Sequence, residues 1–269
     1  MNKEILTSLE LLQLERALKL RGYSITDSCS LDRVILPKNK DVFERYYNYL
    51  FSYRFRRFLS DIIQIKNYGF FDINLLLTRW DKKEIFEYLD FLLISGIVEE
   101  KDNKFYFYYK TLDNFGETLE WFIAQVLKRE FYLPVLWGVK LLDISGGGDF
   151  DILGLIEKYL LYIECKTSPP NNVRLRDLWE FLRRREVLGS HLTIFFIDTS
   201  LKIERNIVEN IKNLLEKRFS KNKKSVILNK EKEGIYFFSP NLFILQSKGE
   251  FIANFQYIFK KFLREFKVF

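Results

Sequence analysis

Two carboxylates and one lysine lie at positions of the chain from which they could act together on a phosphate. Asp151 precedes the apolar run ILGLI, and Glu164 and Lys166 close the apolar run that ends in YIECK. Carboxylate oxygens suit Mg²⁺ or Mn²⁺, ions that keep several of their waters and often bind substrate phosphates. The lysine adds a positive charge that a phosphate or an attacking water could use. These residue types therefore predict a divalent-metal site for chemistry at phosphorus, if the fold brings them together.

A β-hairpin is the element that must position these residues. The two apolar runs flank a charged pair at 157–158, and runs of this length and composition predict adjacent strands. A hairpin centred on that pair places Ile156 opposite Tyr159 and, five steps further back, Asp151 opposite Glu164. Facing like charges destabilise a sheet, the more so in apolar surroundings, so we expect a cation to neutralise them. The alternative is a surface hairpin with solvated charges, which the apolar flanks disfavour.

This pattern resembles the D-(x)n-(D/E)-x-K signature of the PD-(D/E)XK, or restriction-endonuclease-like, nucleases. The fuller run GGDFDILG…LLYIECKT is similar to the nuclease domains of CRISPR-associated effectors. The resemblance implies a metal-dependent phosphodiesterase in which Asp151 and Glu164 bind one or two Mg²⁺ or Mn²⁺ ions, with the backbone carbonyl of Cys165 as a further ligand. It also implies that Lys166 orients the attacking water or supports the charged transition state. The N-terminal third lacks the repeated βα pattern of the nucleotide-sensing domains in those effectors.

Side chains outside the hairpin complete the implied site. In the resembling nucleases a glutamate on the first core helix binds the metal within a Leu-Glu-aromatic context, which Glu120 matches here. Glu117 lies three residues earlier on nearly the same helix face and remains the alternative. The helix after the motif strand is rich in arginine, and the resemblance implies nucleic-acid contacts for Arg174, Arg176 and Arg183. Ordinary surface charges are the alternative interpretation of all five residues.

The implied function is that of an endonuclease that cleaves DNA through a metal-activated water. A ribonuclease is one alternative, and a nucleic-acid-binding or assembly subunit that no longer cleaves is another. The net charge of +7 and the sequence pI of about 9.1 favour a polyanionic partner. We expect nucleic acid as the partner, with DNA rather than RNA as the resemblance implies, and we expect a homodimer as the assembled form.

The order of the predicted elements indicates an α/β protein with two parts. Residues 113–269 are predicted to form a restriction-endonuclease-like domain with an αβββαβ core and an amphipathic C-terminal helix. Residues 1–112 are predicted to be mainly helical, with a short strand at 31–36, one long helix over 41–66 and a winged-helix-like unit over about 70–110. The helix of that unit that would enter a DNA groove exposes acidic side chains. We therefore expect the unit to pack or dimerise rather than read DNA.

Composition excludes several other classes of protein. Two cysteines, Cys29 and Cys165, provide no disulfide framework and fit a reducing cytoplasm. A single histidine, His191, excludes metal sites built from several histidines, and we expect it to have a structural role. The sequence has no long uncharged apolar run and no signal-peptide pattern at its start, so we expect a cytoplasmic protein without a membrane segment.

Overall fold

The described residues of the chain fall into two compact units. The sheet unit comprises residues 1–29 and 123–269, and the helical unit comprises residues 30–122. The domain boundary predicted after residue 112 stays a prediction; in this grouping residues 1–29 belong with the sheet, and residues 113–122 belong with the helices. The computed structural model describes residues 2–142, 144, 148–219 and 226–266.

The helices and strands have the following bounds. In chain order the α-helices are α1 (Asn2–Lys19), α2 (Phe43–Leu50), α3 (Tyr53–Ile65), α4 (Ile73–Leu76), α5 (Lys82–Ile94), α6 (Gly116–Phe131), α7 (Leu175–Leu188), α8 (Glu209–Phe219) and α9 (Phe251–Phe266). The strands are β1 (Ser24–Asp27), β2 (Phe70–Phe71), β3 (Val98–Lys101), β4 (Lys104–Phe107), β5 (Val135–Leu142), β6 (Asp149–Ile156), β7 (Tyr159–Lys166), β8 (Leu192–Ile197), β9 (Leu228–Lys232), β10 (Ile235–Phe238) and β11 (Leu242–Gln246).

The sheet unit is built on one mixed sheet. Its strands lie in the order β1-β5-β6-β7-β8-β11-β10-β9, with β5, β6 and β7 antiparallel in turn and β8 parallel to β7. Helix α6 precedes these strands and α7 connects β7 to β8, so the elements follow one another as α, β, β, β, α, β. A parallel pair needs such a crossover helix. The α/β class is thus confirmed, while the finer assignment to a restriction-endonuclease-like core stays a prediction.

The hairpin of β6 and β7 has the predicted register. Ile156 pairs with Tyr159, and the paired residues continue back to Ile152 opposite Ile163. Glu157 has a positive φ of 54°, a conformation that suits a two-residue turn between twisted strands. A slip of one residue would turn every side chain of the hairpin to the other face. The register therefore places Asp151 and Glu164 at the next pair of positions, just beyond the last paired residues.

Apolar residues at helical spacing hold α7 against the sheet. Leu178, Phe181 and Leu182 are fully buried and belong to one cluster with residues of the sheet, among them Phe150 and Tyr162. A spacing of three and four residues places these side chains on one side of the helix. One row of α7 side chains therefore lies against β6 and β7, where the predicted site residues are.

The long helix predicted over 41–66 is wrong, because the chain breaks into α2 and α3 around Ser52. The Ser52 hydroxyl caps α3 by accepting a hydrogen bond from the backbone N–H three residues on. Arg56 is 1% exposed and donates from Nη1 to the carbonyl oxygens of Leu50 (2.5 Å) and Phe51 (3.1 Å). A helix end leaves such carbonyls without intrahelical partners, and a cation there is favourable. Two local signals, a cap and a buried guanidinium, thus override the continuous apolar pattern.

The rest of the helical unit follows the predicted succession of helix, helix and hairpin. The side chains of Asp72 and Asp81 cap α4 and α5, and the turn at 102–103 between β3 and β4 has positive φ at both residues. Strand β4 is the central strand of this small sheet and pairs with β3 on one side and with β2 on the other. The interpretation of this order as a winged helix stays a prediction. The strand predicted at 31–36 is wrong, since residues 31–36 form turns and irregular structure, and the strand in this part of the chain is Ser24–Asp27.

The C-terminal helix α9 is amphipathic, as predicted. Phe255, Ile258 and Phe262 are buried along one side of it, and the ring of Phe255 stacks on that of Phe196 in β8, with 6.4 Å between their centroids. This apolar side therefore packs on the sheet. None of the helices in the described part of the chain is long and apolar enough to cross a membrane.

His191 should make the stability of the fold depend on pH. Its Nδ1 accepts a hydrogen bond of 3.0 Å from the backbone N–H of Leu160, which requires that Nδ1 carry no proton. Burial, and after it the charge of Arg21, lower the pKa of His191 below its ordinary value. The unfolded chain therefore takes up the proton first as the pH falls. The contribution of neutral His191 is present above about pH 6.5 and is lost below it.

We expect the free energy of unfolding of the parent protein to fall more between about pH 7 and about pH 5 than that of His191→Asn. Asparagine keeps an acceptor for Leu160 but does not titrate. Urea denaturation at each pH measures both proteins, and the difference between them belongs to one group because the chain has a single histidine. Equal pH slopes for the two proteins would contradict the prediction.

Candidate active site

Every second residue at the carboxyl end of β7 carries a polar group, namely Tyr162, Glu164 and Lys166. Alternation along a strand directs these side chains to the same face. Asp151 comes from the neighbouring strand β6, and its Oδ2 accepts a hydrogen bond of 2.7 Å from the backbone N–H of Cys165. The structure thus brings Asp151, Glu164 and Lys166 to one place. Their catalytic and metal-binding roles stay predictions.

Glu164 is 1% exposed, and both of its carboxylate oxygens are bonded to protein cations. Arg184 donates from Nη2 to Oε1 at 2.8 Å and to Oε2 at 2.7 Å. Lys166 donates from Nζ to Oε1 at 2.6 Å, and the hydroxyl of Tyr162 donates to Oε2. A buried carboxylate needs such partners. We expected a bound metal cation to neutralise Glu164. The side chains of Arg184 and Lys166 already supply that positive charge.

Tyr162 closes a triangle of hydrogen bonds with Glu164 and Arg184. Arg184 also donates from Nε to the Tyr162 hydroxyl oxygen at 3.1 Å. The tyrosine is wholly buried, and its ring lies 5.3 Å from that of Phe150 and 5.7 Å from that of Phe181. Hydrogen bonds in such apolar surroundings are strong when every member has its partner. The triangle therefore fixes the orientation of the Glu164 carboxylate.

The two carboxylates have opposite electrostatic surroundings. Burial, and after it the charge of Glu164, raise the pKa of Asp151 to about 7. Burial would also raise the pKa of Glu164, but the charges of Lys166 and Arg184 outweigh burial and lower it. Burial would lower the pKa of Lys166, yet the two carboxylates raise it and keep the amine charged. The positively charged side chains therefore surround Glu164, and the negative charge of Asp151 is less well neutralised than that of Glu164.

The three arginines predicted to contact nucleic acid lie on or just before α7. Arg174 and Arg176 each pair with an acidic residue of that helix, at 3.2 Å and 2.8 Å, and their side chains are 78% and 80% exposed. The guanidinium of Arg183 lies 5.6 Å from the ring of Trp179. Exposed pairs of this kind contribute little to stability. Their role in binding nucleic acid stays a prediction.

Sequence reasoning missed Arg184 and Tyr162 as parts of the site. Arg184 lies three residues after Phe181 and four before Leu188, both buried, so it continues the apolar row of α7. An arginine in such a row needs a buried partner, and this spacing could have distinguished it from the exposed arginines of the same helix. Tyr162 lies two residues before Glu164 on the same strand face, which alternation alone could have shown.

Of the remaining predicted metal ligands, Cys165 lies on β7 itself, and Glu120 with its alternative Glu117 lies on α6. Glu120 is in the helical unit near the start of α6, where Glu117 forms an ion pair of 2.9 Å with Arg33. The thiol of Cys165 is not in a disulfide, and its backbone N–H is bonded to Asp151. Within the described ranges, no three His, Cys, Asp or Glu side chains lie close enough together to hold a metal ion. Metal binding, and the choice of Glu120 over Glu117, stay predictions.

One comparison with a solved structure shows a shared fold, and no comparison identifies a family. No protein-family model matches the chain, and no curated protein matches its sequence. The crystal structure of protein VC1899 from Vibrio cholerae is 14% identical, with a TM-score of 0.55, over 94% of this chain and 62% of that one. The structure of Can2 from Sulfobacillus thermosulfidooxidans in complex with cyclic tetra-adenylate is 13% identical, with a TM-score of 0.46, over 93% and 61%. The chain thus spans about three fifths of the length of each.

Neutral substitutions of the two carboxylates should change stability in opposite directions. Glu164→Gln leaves Arg184 and Lys166 without their anion in a mostly buried place, so it should lower the free energy of unfolding by about 2–4 kcal/mol. Asp151→Asn removes a carboxylate whose charged form the fold disfavours, so it should raise the free energy of unfolding at about pH 8. Urea denaturation in EDTA measures both variants against the parent.

The gain for Asp151→Asn should depend on pH. A raised pKa means that the folded chain holds a proton that the unfolded chain has already released. The parent should therefore lose stability as the pH rises from about 4 to about 7, and the asparagine variant should not. If Asp151→Asn is strongly destabilising at every pH, the bond from the Cys165 backbone outweighs the electrostatic effect and the prediction is wrong.

Proposed function

We propose that this chain is a metal-dependent phosphodiesterase, an endonuclease that cleaves DNA. The observation that carries the proposal is the convergence of Asp151, Glu164 and Lys166 at the ends of two adjacent strands. The succession α6, β5, β6, β7, α7, β8 and the neighbouring order of its strands support the resemblance to PD-(D/E)XK nucleases. The net charge of +7 favours a polyanionic substrate.

The residues present fit a divalent metal ion. Mg²⁺ and Mn²⁺ prefer oxygen donors and often take only one or two carboxylates, with waters and substrate phosphate as the other ligands. Burial, and after it the charge of Glu164, raise the pKa of Asp151, and a divalent cation would offset both effects. Asp151 and Glu164 would hold the ion, and waters and substrate phosphate would complete its ligands. When bound, it supplies a more acidic water and positive charge at the scissile phosphate.

The other polar groups of the site have separate tasks in this proposal. The Lys166 side chain is 28% exposed, so an incoming phosphate can reach it, and its charge stabilises the negative charge that grows in the transition state. Arg184 and Tyr162 do not face the substrate but hold Glu164 in one orientation. Asp151 is less constrained by cations and is the carboxylate available to orient a water.

A second function is favoured by one observation, the complete pairing of Glu164. A metal ion at Glu164 would have to share the carboxylate with Arg184 and Lys166, which already bond both oxygens. A site closed in this way suits a nucleic-acid-binding subunit that does not cleave. The two functions differ in one measurable outcome, which is whether Mg²⁺ or Mn²⁺ leads to a broken phosphodiester bond.

Cleavage assays test the proposal directly. Plasmid DNA and single-stranded DNA and RNA oligonucleotides are incubated with the parent in Mg²⁺, in Mn²⁺ and in EDTA. We expect DNA cleavage only with metal, and a rate lower by roughly 100-fold or more for Asp151→Asn and Lys166→Ala. Lys158→Ala, at the turn of the same hairpin, is the matched control and should cleave like the parent. RNA cleavage alone would make the enzyme a ribonuclease, and intact nucleic acid in every reaction would leave the binding function.

Removal of the Arg184 charge should strengthen metal binding. Arg184→Gln keeps a hydrogen-bond donor for Glu164 but removes the positive charge that opposes a cation there, so Mn²⁺ should bind at least about tenfold more tightly. Titration calorimetry in the absence of nucleic acid measures this affinity. Arg176→Gln, at an exposed position of the same helix, is the control and should bind Mn²⁺ like the parent. Unchanged affinity in Arg184→Gln would show that the two cations do not compete.

A further inference from the structure

The sheet of β2, β4 and β3 in the helical unit has one buried face and one solvent face. Phe71 and Phe107 are 1% and 0% exposed and belong to the buried face. Phe70 pairs with Tyr106 on the neighbouring strand, and Tyr108 follows two residues later at 52% exposure. Since side chains alternate along strands, Phe70, Tyr106 and Tyr108 lie on the solvent face. Three aromatic side chains therefore line a surface that faces water.

Lysines accompany these aromatic residues. Lys38 lies 3.6 Å above the ring of Tyr108, and Lys104 lies 4.8 Å from the ring of Phe70. Lys101 pairs with Lys104 across the strands, on the same face. One acid, Glu99, shares this face and bonds Lys38 at 2.8 Å. Positive charge therefore exceeds negative charge on the solvent face.

A depression of about 610 Å³ adjoins this face. Its lining includes Tyr106 and Tyr108, the lysines Lys38, Lys101 and Lys110, and the acids Glu99, Glu100 and Asp102. Its size suits a small planar group with a charged substituent. The depression is open, so a chain-like ligand could lie across it and continue along the sheet.

The combination of aromatic rings and lysines distinguishes among possible occupants. Interfaces between proteins are enriched in tyrosine but depleted in lysine, which argues against a second copy of the chain as the occupant. Sites for single-stranded nucleic acid combine aromatic rings, on which bases stack, with cations that follow the phosphates. Duplex bases are already stacked on each other and are less available to such a surface. The chemistry of this face therefore favours unpaired nucleotides.

We propose that the solvent face of the β2-β4-β3 sheet binds single-stranded nucleic acid. Bases stack on Tyr106 and Tyr108, and the phosphates between them contact Lys101 and Lys104. The site lies within the helical unit and uses none of the residues placed in the candidate active site. It shares with the proposed function only the class of ligand, and it would hold the substrate of a nuclease and the partner of a silent subunit equally well.

Fluorescence anisotropy of a labelled oligonucleotide with the full chain in EDTA tests the proposal without any cleavage. Tyr106→Ala with Tyr108→Ala should weaken binding of a single-stranded oligonucleotide about tenfold or more, and Tyr-to-Phe changes at both positions should not. Lys101→Gln with Lys104→Gln should lower the slope of log affinity against log salt by about one to two. The matched control is Lys82→Gln with Phe86→Ala, a lysine lying 5.8 Å from an aromatic ring that is 53% exposed on α5 of the same unit.

The outcomes separate this proposal from the proposed nuclease. Because binding is measured in EDTA, a parent that binds the oligonucleotide through these tyrosines but cleaves nothing with metal supports this proposal and contradicts the nuclease. Equal affinity of the parent and the double tyrosine-to-alanine variant, tighter binding of the matching duplex, or no binding by the parent would each overturn the proposal. A control variant that weakens binding as much as the double tyrosine variant would also overturn it, because binding would then not be specific to the solvent face of this sheet. Circular dichroism of each variant verifies that it is folded. If alanine unfolds the unit, the lysine variants carry the test, and an unchanged salt slope would then overturn the proposal.

Discussion

The bidentate pair of Glu164 and Arg184 is the constraint on which the arrangement of the sheet unit depends. A carboxylate buried in the middle strand of an apolar sheet is tolerated only if its charge is matched and its oxygens are bonded. That requirement fixes the position of α7 along β7, because the guanidinium must reach both oxygens. It also fixes Tyr162, whose hydroxyl joins the two groups. A buried ion pair adds little net stability, so its value here is in specifying one geometry.

The same pair makes the two carboxylates of the hairpin unlike each other. Lys166 and Arg184 hold Glu164 in its ionised form. Asp151 lies next to the negative charge of Glu164 and accepts a hydrogen bond from the backbone N–H of Cys165. Two acidic groups whose pKa values are driven apart by their surroundings are a common basis for distinct acid and base roles. In this site Glu164 is the carboxylate that is held firmly, and Asp151 is the one that can change its charge or its ligand.

Much of the sheet unit could be predicted from the sequence, because its signals are strong and local. The apolar runs of β6 and β7 and the short turn between them fix the hairpin register, and the helical spacing of α7 fixes which side is buried. The break at Ser52 was missed because the apolar pattern continues through it. Strand β9, LNKEK, has no apolar alternation and forms only because β10 offers it a partner. Arg184 was missed because its role depends on a contact between residues twenty positions apart.

The two edges of the large sheet affect how copies of the chain can meet. One edge strand, β1, has four residues and is mostly exposed, and the other, β9, carries Lys230, Glu231 and Lys232. An open strand edge invites the backbone of another molecule, and short or charged edges oppose this. Growth of one continuous sheet through several molecules is therefore disfavoured. At high concentration the chain is therefore protected from fibre-like aggregation through the edges of this sheet.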